Sequence, residues 1–138
     1  MSPGDLNKVI LELEKGLKEY PDKRRAIIVL GQLYSKKLNK PTKTIDILER
    51  GLLAVKTRRP NDHKDIADIH YNIACYYCML AHELGITAEE KAVLKDKLYE
   101  NLAPAVHLSS ENVAEARTDA DFSPIKSEQA FINLVPSQ

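Results

Sequence analysis

Tryptophan is absent from this chain of 138 residues, glycine occurs only five times, and aromatics make up 6% of the sequence. With threonine and valine also sparse, that composition argues against a protein built mainly of strands, which draw on β-branched and aromatic residues. Cysteine is scarce too: Cys75 and Cys78 are too few for a disulfide framework, which points to a reducing compartment and a cytoplasmic location. No window approaches ~18 consecutive apolar residues, so no membrane span is expected. The opening Met-Ser-Pro-Gly-Asp has no cationic stretch followed by an apolar run, so no secretory leader is expected either. Net charge is missing as well, with 20 basic and 20 acidic side chains, which argues against a dedicated nucleic-acid or membrane-surface binder.

What is present is Leu, Ile, Ala, Lys and Glu, the residues of helices. Apolar residues at 43% and charged residues at 29% are the balance of a globular chain, here long enough for a single domain over 1–138. The zero net charge conceals an asymmetry: residues 1–60 hold 14 basic and 7 acidic side chains, hence +7, and residues 61–138 hold 6 and 13, hence −7. Such a dipole can steer a charged partner or favour contact between copies.

Helical periodicity runs the length of the chain. Leu6, Val9, Ile10, Leu13 and Leu17 form one stripe, ended by Pro21. Ile27, Leu30, Leu33, Tyr34 and Leu38 form a second, up to Pro41, and Ile45, Leu48, Leu52 and Val55 a third, with Thr42 as its expected cap. The fourth helix carries Ile66, Ile69, Ile73, Tyr77, Leu80 and Leu84 and stops at Gly85. Thr87 to Glu90 reads as a capping box for a fifth helix with Leu94, Leu98, Leu102 and Val106, bent or ended near Ala103 by Pro104. A short helix from Ser109 or Ser110 to Arg117 and a last one from Pro124 to Leu134 complete about seven helices, an all-α chain with no strand.

Two motifs alternate. Ile27-x-x-Leu30-Gly31-x-x-Tyr34 recurs as His70-x-x-Ile73-Ala74-x-x-Tyr77. Val9-x-x-x-Leu13-x-x-Gly16 is echoed by Thr44-x-x-x-Leu48-x-x-Gly51 and by Leu98-x-x-x-Leu102-x-x-Ala105. A small residue closes each pattern where two helices must approach closely. At these residues the chain resembles the tetratricopeptide repeat family, whose first helix reads Trp-x-x-Leu-Gly-x-x-Tyr and whose second reads Ala-x-x-x-Phe. Ile27 and His70 stand in the Trp position, and the second spacing, Gly51 to Ala105, is longer than the family's.

The resemblance implies a right-handed α-α superhelix of antiparallel helix hairpins, divided as a half repeat 6–20, a repeat 24–57, an extended repeat 64–108 and a capping hairpin 110–135. Asp119-Ala-Asp-Phe-Ser-Pro-Ile125 with Phe131-x-x-Leu134 looks like the family's degenerate closing hairpin. The resemblance also implies a concave groove for a peptide or helix of a protein partner, with Arg25, Ile28, Gln32 and Ser35 from one hairpin and Asp68, Tyr71, Asn72 and Cys75 from the next. Asn72 matches an Asn that grips ligand backbone, and Ile28 and Tyr71 are the expected apolar anchors. The positions that hold Lys and Arg in carboxylate-gripping members are Ile28, Gln32 and Tyr71 here, so no such clamp is expected. The reading is an interaction adaptor or scaffold, with no catalysis, cofactor, metal, nucleic acid or membrane expected.

Two alternatives stay open. The uncovered edge at 6–20 suits a self-assembling homo-oligomeric scaffold. Cys75-x-x-Cys78-x-x-x-His82 brings two thiols and an imidazole to one helix face, the beginning of a thiol-dependent metal or redox site. Asp119 and Asp121 read as turn and capping residues, and Lys23-Arg24-Arg25 and Lys56-x-Arg58-Arg59 as basic clusters without the aromatics that nucleic-acid binding favours.

Overall fold

A computed structural model describes residues 2–137. Among them the chain is all-α: seven α-helices, one 3-10 helix and no strand. It forms two compact units, residues 1–62 and 63–138, parted in the loop between the 24–57 and 64–108 stretches.

The first unit holds α1 (Pro3–Glu19), α2 (Arg24–Lys36) and α3 (Pro41–Arg58). Ser2 caps α1 by accepting the Asp5 N–H at 3.2 Å, with Pro3 in the first turn, where a missing donor costs nothing. Thr42 does not cap α3. Pro41 takes the first helical position and Lys40 the cap, so the helix starts two residues earlier without a side-chain cap. The core gathers Ile10, Leu30 and Ile47, with Leu6, Leu13, Leu17, Leu33, Tyr34 and Leu38 packed around it.

Gly31 and Gly51 set the α2–α3 approach. A Cβ on Gly31 would lie 3.3 Å from Thr44 Cγ2, and one on Gly51 2.5 Å from Ile27 Cγ2. Thr44, fully buried, donates its hydroxyl to the Gly31 carbonyl at 2.7 Å and so bonds the crossing as well as packing in it. Gly16, at the matching position of α1, would meet no atom within 4 Å, so its smallness serves no crossing. The Arg59 guanidinium holds the Asp22 carboxylate at 3.0 Å and the Asp22 carbonyl at 2.6 Å, tying the end of α3 to the turn after α1.

The second unit holds α4 (His63–Ala81), α5 (Ala88–His107), α6 (Ser110–Thr118), the 3-10 helix Ala120–Ile125 and α7 (Gln129–Leu134). α4 and α5 form an antiparallel hairpin around Ile69, Ile73, Ala74, Leu98, Leu102 and Ala105, each with no measurable exposure. α4 ends at Ala81, short of Gly85, whose φ of 82° turns the chain after three intervening residues. Leu84, expected on the packed stripe, is therefore outside the helix and fully exposed.

The Thr87–Glu90 capping box forms in both directions. Pro104 does not end α5, which continues to His107. The carbonyl that Pro104 cannot bond belongs to Glu100, on the exposed face where water can satisfy it. The expected helix 124–134 is replaced by two shorter elements. Asp119 accepts the Asp121 N–H at 2.9 Å and starts the 3-10 turn, Pro124 falls inside it, and α7 begins only at Gln129. Glu128, just before α7, is held to α5 by Lys95 and by the Tyr99 hydroxyl at 2.6 Å.

Candidate functional site

The sequence candidates lie on α2 in the first unit and α4 in the second, and the two helices differ in what covers them. On α2 the residues at steps of three and four share one face. Arg25 is exposed, and Ile28, Gln32 and Ser35 are half-buried. The motif face of the same helix, Ile27, Leu30 and Gly31, is buried, with Ile27 and Gly31 against α3, so the 25-28-32-35 face is the less buried of the two.

On α4 the corresponding face is closed, which corrects the expectation for Tyr71, Asp68 and Cys75. Tyr71 is only 5% exposed. Its ring meets Phe122 edge-on with centroids 5.5 Å apart, and its hydroxyl donates to Asp119 Oδ2 at 2.7 Å. Cys75 lies against the same carboxylate, 4.0 Å from Oδ2, and Asp68 is buried with Lys64 at 3.6 Å. The physical reason is the 3-10 helix. Phe122 and Ile125, both fully buried, bring this segment down onto α4 and cover that face. Asn72 stays half-buried, but its amide already donates to the Asp68 carbonyl one turn back at 2.9 Å.

The thiols sit in the same closed region. Burial pushes the Cys75 thiol well up, and the carboxylates of Asp119 and Asp121 add to it. Burial likewise pushes Cys78 up to about 12. Both therefore keep their protons at neutral pH, the reverse of a thiol activated as a nucleophile. Cys78 Sγ lies 3.9 Å from His82 Nδ1, but that nitrogen is 2.7 Å from the Cys78 carbonyl oxygen, which can only accept. Nδ1 thus carries a proton and is not free to serve as base or ligand.

Among the described residues, a three-ligand grouping within 4.8 Å unites Cys75 not with Cys78 and His82 but with Asp119 and Asp121. Asp119 already uses one oxygen for the Tyr71 hydroxyl and the other for the Asp121 N–H. The remaining sequence candidates are structural. His70 is buried, with Nδ1 2.9 Å from Asn101 Oδ1 of α5. Arg58 and Arg59 converge on Asp22 rather than on open solvent.

One surface has no counterpart in the sequence reading. In the first unit a groove of about 360 Å³ opens between α1 and α3 over the α2 residues Ile27 and Leu30. Leu17, Pro21 and Ile47 line it, and Lys18, Lys43 and Arg50 stand at its rim with Glu14. No signal in the sequence marks it, because it depends on how far apart two non-adjacent helices are held. No helix of the described residues is long and apolar enough to cross a membrane. No protein-family model, no curated protein and no solved structure matches the chain.

Proposed function

We propose that the protein is a helical-hairpin interaction module, similar to tetratricopeptide repeats, that holds a segment of another polypeptide against α2. The observation that supports this reading is the α2–α3 hairpin. Gly31 and Gly51 let the two helices bury the repeat motif, while on the opposite stripe of α2 Arg25 is exposed and Ile28, Gln32 and Ser35 are half-buried. Ile28 offers an apolar anchor, and Gln32 and Arg25 offer donors around it, the mixture that recognises a hydrophobic side chain on a polar backbone. The docking wall is thereby reduced to the first unit's α2, since Tyr71 and Cys75 are occupied by the chain's own cap. Capture of a partner by the full chain, compared with Ile28→Asp, tests it. Capture lost at unchanged helix content supports the reading, and capture by Ile28→Asp at full strength removes this face.

A second reading, self-assembly through α1, is favoured by Leu11, which is 64% exposed on a helix with only Ile10 buried. Light scattering of Leu11→Glu beside the parent chain tests it: a parent chain that is monomeric at every concentration rules it out.

A further inference from the structure

We infer that the groove between α1 and α3 is a second docking site, on a different face from Ile28, and that its occupant is an acidic amphipathic segment of a partner protein. The floor is apolar and drawn from three helices: half-buried Leu17 of α1 offers most of its accessible surface, over the buried Ile27 and Leu30 of α2 and Ile47 of α3. Its volume, about 360 Å³, lies at the lower end of the range for preformed ligand pockets, ~300–1,000 Å³, and suits a few aliphatic side chains.

Gly51 lines the groove beside Ile27, whose side chain already fills the space where a Cβ on Gly51 would stand.

The rim decides the sign of the partner. Three of its four charged residues, Lys18, Lys43 and Arg50, are cations, and the one acid, Glu14, accepts the Tyr34 hydroxyl at 2.7 Å. Asp46 balances Arg50 and lies 4.0 Å from Lys43, but these pairs are half-exposed, and such pairs hold weakly enough to be exchanged for an incoming carboxylate. The first unit as a whole, residues 1–62, has 14 basic and 8 acidic side chains, hence +6, so its field attracts an acidic chain from a distance. An apolar floor under a cationic rim fits a helix with Leu at i, i+3, i+4 and i+7 and carboxylates flanking them.

The probe is a labelled synthetic helix of that design, Leu at the four anchor positions and Glu elsewhere, titrated into the full chain by fluorescence anisotropy. Two controls accompany it: the same Leu spacing with Lys in place of Glu, and a scrambled peptide of identical composition. Binding of the acidic helix, with the Lys peptide and the scrambled peptide at least tenfold weaker, supports the inference. So does a loss of at least tenfold in Lys18→Glu/Lys43→Glu, a pair of exposed positions where charge reversal leaves the core alone, with a thermal melt run alongside. Ile28→Asp should bind the peptide as the parent does, which separates this site from the α2 face. Equal binding of the Lys or scrambled peptide, or no effect of the charge reversal, overturns it. A parent chain that self-associates through the groove, and stops doing so on charge reversal, also overturns it by making a second copy the occupant.

Discussion

Gly16 and Gly51 occupy the same place in one repeated motif and have opposite surroundings, so the same substitution should move stability in opposite directions. Gly16 is a helix-interior glycine with open space at its Cβ position, and Gly16→Ala should stabilise by about 0.5–1 kcal/mol through backbone entropy alone. Gly51→Ala drives a methyl into the buried Ile27 side chain and should cost about 1–3 kcal/mol despite the better helix propensity of Ala. Urea melts of the two variants check this, and stabilisation by Gly51→Ala would contradict the close crossing. Tyr71 illustrates the same lesson for a polar aromatic. Removing its hydroxyl in Tyr71→Phe strips a hydrogen bond from the Asp119 carboxylate at a cost of about 1–3 kcal/mol. Tyr71→Ala leaves a hole beside Phe122 and should cost about 3–5 kcal/mol. A large loss of helix stability, rather than a clean loss of partner capture, is the expected result of the Ala variant.

Among the elements, the 3-10 helix Ala120–Ile125 matters most, because it determines which face of α4 is available. Asp119 starts it and at the same time anchors Tyr71 and shields Cys75. Asp119→Ala should therefore loosen the segment and expose the thiol. The rate at which Cys75 is modified by a thiol reagent, measured in Cys78→Ser, should rise well above that of the parent. An unchanged rate would mean that Phe122 and Ile125 hold the segment without the cap. α5 provides a contrast, since its start is secured locally. Thr87→Ala removes a formed capping box and should cost about 1 kcal/mol with no effect on Cys75 reactivity.

Over the whole molecule the perturbed carboxylates set a stability profile against pH. Partial desolvation first, although the residue stays exposed to solvent, and then Asp119 and Asp68 nearby, raise Glu115 above its ordinary 4.5. Its contribution is full below 4.5 and is lost as pH rises through the raised value. Asp22 runs the other way. The hydrogen bond from Arg59 outweighs burial and lowers it, so its contribution is present above 3.8 and is lost as pH falls through the lowered value. At Glu128 burial opposes ionisation, but the bonds from Lys95 and Tyr99 prevail and lower it. The melting temperature should therefore rise from neutral pH into the mildly acidic range and fall once Asp22 and Glu128 protonate. Glu115→Gln should remove the rise and leave the acid limb, which melts from pH 3 to 8 will resolve.

Helix content, the places of most helices and the alternation of two motifs follow from the sequence alone, because stripes, caps and prolines act within a few residues of one another. Thr87–Glu90 and the run of apolar positions in α4 needed nothing beyond their neighbours in the chain. The end of the chain did not follow so simply: Ser123-Pro124 has good helix-start chemistry, yet Asp119 turns the backbone first. Exposure was decided only in three dimensions. Tyr71 and Ile28 are both large side chains on equivalent helix faces, and what separates them is that Phe122, roughly fifty residues beyond Tyr71, packs over it. The groove above Ile27 and Leu30 likewise exists because α1 and α3 stand apart across α2, a distance that packing sets and no local pattern encodes.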